Sequence, residues 1–114
     1  MRKKNYKGRC EKRTVAKCAG ICKTYDRLQG RMVDILAGDS SVKDIRCNVP
    51  MEEAEYTSDI VCTMDDGSIV VYECCYRKLL NRPTTAKLLQ QSREYWLKHG
   101  VKEEDWRLAV DAEK

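Results

Sequence analysis

The stretch Tyr56-Thr-Ser-Asp59-Ile-Val-Cys-Thr-Met64-Asp-Asp-Gly67-Ser-Ile-Val-Val-Tyr-Glu73-Cys-Cys75 decides how this chain folds. Two runs rich in apolar and β-branched residues flank Asp65-Asp66-Gly67, a pattern that predicts a hairpin closed by a three-residue loop with Gly67 in the left-handed conformation. Such a loop sets the register: Met64 faces Ser68, and Asp59 faces Glu73. Opposed side chains stand about 4.5–5.5 Å apart at Cβ on one face of a sheet. Two carboxylates there make a candidate site for a hard divalent cation. Cys75 falls on the same face, two residues beyond Glu73. Because Glu73 lies inside the apolar run Ile69–Tyr76, its strand is expected to be central and covered on both faces. A buried acid without a partner is expensive, so this one is expected to have a purpose or a partner.

On the N-terminal side, apolar residues recur at Tyr25, Leu28, Met32, Ile35 and Leu36, with Thr24 as N-cap and Gly38 as stop, which predicts an amphipathic helix. Val42, Ile45, Cys47 and Val49 then give an extended segment ending at Pro50, followed by an acidic connection over 52–55. The hairpin supplies strands over about 57–64 and 68–76. After Asn81-Arg82-Pro83, a second helix runs from Thr84 or Thr85 to His99, with Gly100 at C′ and a stripe of Ala86, Leu88, Leu89, Tyr95, Trp96 and Leu97. Lys102–Asp105 reads as charged loop and Trp106–Val110 as a last strand. The order helix, three strands, helix, strand predicts one α/β domain over residues 24–114. Its first three strands form an antiparallel meander, and a right-handed crossover lays the last strand parallel to a neighbour. The expectation is a mixed central sheet flanked by a helix on each face.

Charge is unevenly spread. Residues 1–23 carry nine Lys/Arg against Glu11 alone, whereas the rest of the chain is net acidic, so the overall +4 belongs to an N-terminal arm. That arm has no clear period and reads either as a solvated tail or as a grip on a polyanion, most simply DNA, through Lys3, Lys4, Lys7 and Arg9. A second basic group, Arg77, Lys78, Arg82 and Lys87, follows Glu73 and suits a phosphodiester backbone as well as it suits a solvated connection.

The seven cysteines are odd in number, and the charged N-terminus has no apolar signal segment, so a reducing, cytoplasmic setting is expected. No apolar run approaches the roughly 18 residues that span a bilayer. Cys18-Ala-Gly-Ile-Cys22, with Cys10 upstream, lies within the loose spacing range of zinc ligands. No second close pair or nearby histidine completes four, so ordinary thiols are expected over zinc unless Cys47, Cys74 or Cys75 joins through space. His99 reads as a favourable charge at a helix C-terminus.

The element order, with the acid-turn-acid pair on strands two and three, resembles the PD-(D/E)xK nuclease superfamily, and more narrowly the N-terminal catalytic domain of TnsA-type transposon endonucleases. The resemblance covers roughly residues 8–111. It is carried by Tyr56–Val61, Asp66-Gly67-Ser68 and Val71-Tyr72-Glu73, by the loop Arg77–Pro83, and by Arg93–Trp96, Gly100 and Trp106-Arg107. It implies a restriction-endonuclease-like αβββαβ core in which Asp59 and Glu73 bind Mg2+ or Mn2+, the ions that polarise the phosphate and generate the attacking hydroxide.

The resemblance also implies a glutamate on the first helix and a lysine two residues after the second acid. Here those positions hold Gln29 and Cys75. A thiol with a free pKa of about 8.5 brings no positive charge, and loss of a positioned acid-base group typically costs about 10²–10⁴-fold. The expected function is therefore a TnsA-like, DNA-binding nuclease-fold protein of a mobile element. Its metal-dependent cleavage is expected to be weak or absent, unless Lys78 or Lys87 replaces the lysine. The alternative is a catalytically dead domain that inhibits a host defence nuclease, of the anti-CRISPR type, by protein binding. Expected partners are DNA, and a transposase subunit or that nuclease.

Overall fold

The computed structural model describes residues 11–18, 21–24, 27–50 and 57–111. Their order is β1 (Glu11–Thr14), β2 (Ile21–Thr24), α1 (Arg27–Ala37), β3 (Val42–Pro50), β4 (Thr57–Met64), β5 (Ile69–Cys74), α2 (Pro83–Lys98) and β6 (Trp106–Ala109). The central sheet runs β3-β4-β5-β6. β3, β4 and β5 pair antiparallel, and β6, reached through α2, pairs parallel to β5. This is the mixed α/β sheet expected from the sequence.

The β4–β5 hairpin has the anticipated register, from Thr63↔Ile69 to Ile60↔Tyr72. Gly67 sits at φ +88°, where a side chain would be strained. Met64 N–H donates to the Ser68 carbonyl at 2.9 Å, and Gly67 N–H to the Met64 carbonyl at 2.9 Å. Asp66 Oδ1 accepts both the backbone N–H and the hydroxyl of Ser68, at 2.9 and 2.7 Å, and these bonds hold its carboxyl below the usual range.

Alternation along the strands gives the sheet two faces. One packs Ile45, Ile60, Cys62 and Cys74 against Leu28, Val33 and Leu36 of α1 and Cys22 of β2. The other packs Val61 and Val71 against Val101, with Trp96 of α2 and Trp106 of β6. An eleven-residue helix such as α1 is marginal in isolation. Burial of its three aliphatic side chains, at about 1.5–3 kcal/mol each, holds it in place. At the end of α2, Gly100 (φ +99°) permits the paired C-terminal bonds Gly100 N–H to Leu97 and Val101 N–H to Trp96, at 3.2 and 3.0 Å. Val101 then packs with Trp96, the apolar contact that accompanies this motif.

Four expectations need correction. Residues 11–24 are not all arm: β1 and β2 form a hairpin, Cys22 is buried in the core, and β2 runs across the boundary drawn at residue 24. Thr24 is a buried strand residue, so α1 starts at Arg27 rather than being capped by Thr24. The buried face of α1 is also rotated. Ile35 is 60% exposed, while Gln29, Gly30 and Val33 face inward. A stripe counted from apolar residues alone misses a face whose centre is polar. Finally, β5 pairing stops at Cys74, although Cys75 N–H still reaches the Ala109 carbonyl at 2.9 Å.

Candidate functional site

Beyond Ile60↔Tyr72, carboxylates become the acceptors that join β4 to β5. Asp59 N–H donates to Glu73 Oε1 at 3.1 Å, and Cys74 N–H donates to Asp59 Oδ2 at 2.7 Å. The two acids are therefore opposed, as the hairpin register required. Both are fully buried, with relative exposure of 0%.

The acids belong to a chain of hydrogen bonds that crosses the domain. From α2, the buried Ser92 hydroxyl donates to Glu73 Oε2 at 2.6 Å and accepts Trp106 Nε1–H of β6 at 3.0 Å. From α1, Gln29 Nε2 donates to the Asp59 carbonyl at 3.0 Å and to Asn48 Oδ1 at 3.0 Å. Asn48 of β3, held at φ +57°, donates through Nδ2 to the Lys23 carbonyl of β2 at 2.8 Å. Nearby, Trp96 Nε1–H donates to the buried Ser58 hydroxyl at 2.8 Å. Seven elements, β2 to β6 with α1 and α2, are thus joined through side chains. A network of this kind rigidifies a core when each member is satisfied.

This arrangement differs from an open nuclease centre at three places. At least three of the four carboxylate oxygens of Asp59 and Glu73 already accept protein donors. Gln29 uses its amide as a donor to two acceptors, bonds that the glutamate implied by the resemblance cannot make. Cys75 is buried, and its thiol is directed at the Tyr76 carbonyl, 3.5 Å away, where a lysine was implied. Mg2+ demands near-octahedral oxygen coordination and usually keeps several waters. Two fully buried carboxylates already engaged by backbone and hydroxyl donors do not fit that requirement.

Of the expected nucleic-acid contacts, Arg77, Lys78, Arg82 and Lys87 are all exposed, from the end of β5 into the first turns of α2. Arg77 is tethered: its backbone N–H donates to Asp111 Oδ1 at 2.7 Å and its Nε–H to the Asp111 carbonyl at 3.0 Å. Lys3, Lys4, Lys7 and Arg9 lie outside the described residues, as do Cys10 and the acidic connection over 52–55.

Sequence reasoning overlooked Ser92, Asn48 and Trp106 as members of the site. For Ser92 a signal existed, since it stands four residues after Leu88 and three after Leu89, on the buried stripe of α2.

A second cluster occupies the α1 side. The sulfurs of Cys18, Cys22 and Cys47 lie within 4.8 Å of one another, the one such group of three or more Cys, His or acidic ligands among the described residues. Cys22 and Cys47 are 3.6 Å apart at sulfur. Burial first, then the neighbouring Cys22, pushes the Cys18 thiol up to about 11. The same two causes push Cys47 up further.

Compared with known proteins, the chain matches no family model and no curated relative. No helix among the described residues is long and apolar enough to cross a membrane.

Proposed function

We propose that this chain is a nuclease-fold DNA-binding protein, TnsA-like in the arrangement of its core, in which the former metal site has become a closed hydrogen-bond network. The observation that carries this reading is the engagement of Asp59 and Glu73 by Cys74 N–H, Asp59 N–H and the Ser92 hydroxyl, with both acids fully buried. The replacement of the glutamate and lysine positions by Gln29 and Cys75 supports it. DNA binding is supported by four exposed cations that follow β5 directly, Arg77, Lys78, Arg82 and Lys87. The mobile-element setting rests on the resemblance alone.

Two measurements on the full chain test this. Supercoiled plasmid with Mg2+ or Mn2+ should stay intact; cutting that vanishes in Glu73→Ala would overturn the non-cleaving reading. Binding to duplex DNA, followed by anisotropy, should weaken with a log–log salt slope of about 0.9 per phosphate contact. Replacing Lys78, Arg82 and Lys87 together by Ala should lower that slope by about 3 contacts' worth and the affinity at least about tenfold. Binding no stronger than that of an acidic control protein would remove the DNA reading and leave a protein-binding inhibitor as the use of this fold.

A further inference from the structure

Cysteines are often buried as small hydrophobes, and Cys62 and Cys74 are used in that way within the core. Cys18, Cys22 and Cys47 differ in where they come from. Cys18 ends the turn Val15-Ala16-Lys17-Cys18, in which Cys18 N–H donates to the Val15 carbonyl at 3.1 Å and Lys17 sits at φ +72°. Cys22 lies on β2, and Cys47 comes from the middle of β3. Three separate backbone segments therefore deliver sulfur to one point. A single disulfide explains two of the three sulfurs at most.

The spacing suits a metal. Zn–S bonds of about 2.3 Å in a tetrahedron separate sulfurs by roughly 3.8 Å. Cys22 and Cys47 are 3.6 Å apart, and the group closes within 4.8 Å. Cys18 and Cys47 are half-buried and Cys22 is buried, so the cluster sits at the edge of the core. All three donors are soft sulfur, which selects Zn2+ over the hard cations implied for the carboxylates.

The location gives such a site something to do. β1 and β2 are four residues each, and an isolated two-stranded hairpin of that size is marginal in water. Its described backbone and side-chain links to the body include the Cys18↔Ile45 bridge, Ile45 N–H to the Lys17 carbonyl at 2.9 Å, and Asn48 Nδ2 to the Lys23 carbonyl. We propose that Cys18, Cys22 and Cys47 form a thiolate site for Zn2+ that clamps the β1–β2 hairpin onto β3. Binding releases the thiol protons as the Zn–S bonds form, so the ion is held more tightly as pH rises through neutrality.

The test uses the full chain, purified under reducing conditions, stripped with a chelator and reloaded. Native mass spectrometry should show one Zn2+ per chain. Co2+ titration should give the thiolate-to-cobalt charge-transfer band and the visible bands of a tetrahedral ion. Alkylation of Cys18, Cys22 and Cys47 should slow on loading, a readout in the wild-type chain that needs no substitution. Cys18→Ser, Cys22→Ser and Cys47→Ser should each weaken Zn2+ binding by about 100-fold or more, while Cys62→Ser leaves it unchanged. Failure to retain Zn2+ or to develop the cobalt spectrum overturns the proposal. So does finding Cys22 and Cys47 joined as a disulfide in reduced preparations.

Discussion

On the α2 side of the sheet, Asp59 and Glu73 are buried with their hydrogen-bond donors already supplied by Cys74, Asp59 and Ser92. On the α1 side, Cys18, Cys22 and Cys47 are brought together with thiol facing thiol, Cys22 against Cys47 at 3.6 Å. The first set is complete without an ion, because amide and hydroxyl dipoles do the work a cation would do. The second set has weak donors and soft acceptors, so an ion adds what the chain does not supply. Reactive residue types by themselves therefore do not identify the metal centre. What matters is whether their lone pairs are already used.

That contrast breaks first at Glu73. Glu73→Ala removes the acceptor of the buried Asp59 N–H and of the Ser92 hydroxyl, which itself holds Trp106. Leaving such groups unsatisfied should cost roughly 3–5 kcal/mol of stability, read as a lowered urea midpoint with an unchanged slope. A catalytic carboxylate behaves the other way, since acids kept for chemistry are often held at the expense of stability. Equal or greater stability in the variant would return the pair to the catalytic class.

Gln29→Glu gives the next largest effect. The new side chain would lose its donors to Asn48 Oδ1 and the Asp59 carbonyl and set acceptor against acceptor in a fully buried position. The expected loss is about 2–3 kcal/mol at pH 7. Burial disfavours the charged form, so the folded pKa of the introduced glutamate lies above its unfolded value of about 4.3. The added penalty is then present above the folded pKa, fades as pH falls, and is gone below about pH 4. A variant as stable as wild type at pH 7 would mean that the site accepts a third carboxylate, as an ion-binding centre does.

The same two faces show what the sequence makes legible. The Asp59–Glu73 opposition follows from local information, because Asp65-Asp66-Gly67 sets the loop and the loop sets the register. Pro83 and Gly100 bound α2 by equally local rules. The cysteine cluster is of another kind, since Cys47 is 25 residues from Cys22 and meets it only once β2 docks on β3. β1 and β2 themselves are too short and too basic to show a period-two signal. The role of Ser92 and the burial of Gln29, whose position the resemblance did single out, were harder to read: polar residues on a helix read as solvent-facing until a buried partner is known, and their partners are the very acids whose burial the strand pattern implied.

The smallest effect sharpens the thiol side. Cys62 shares the α1-facing core with the cluster but is not one of its three members. Burial chiefly, then the carboxylates of Asp44 and Asp39, pushes its thiol from 9.0 up to about 11. Between those two values the unfolded chain has released the proton while the folded chain still holds it, so this group makes stability fall as pH rises, and below pH 9 its contribution is fully present. Cys62→Val keeps a small apolar side chain on β4, of a type that strands favour, and should match wild type at pH 7 within about 1 kcal/mol. It should then lose on the order of 1 kcal/mol less than wild type between pH 9 and pH 11. Denaturation midpoints for the metal-stripped proteins across that range measure the difference. If the two curves run parallel, Cys62 is not the group that resists ionisation, and the alkaline sensitivity belongs to the three clustered thiols, where added Zn2+ should abolish it.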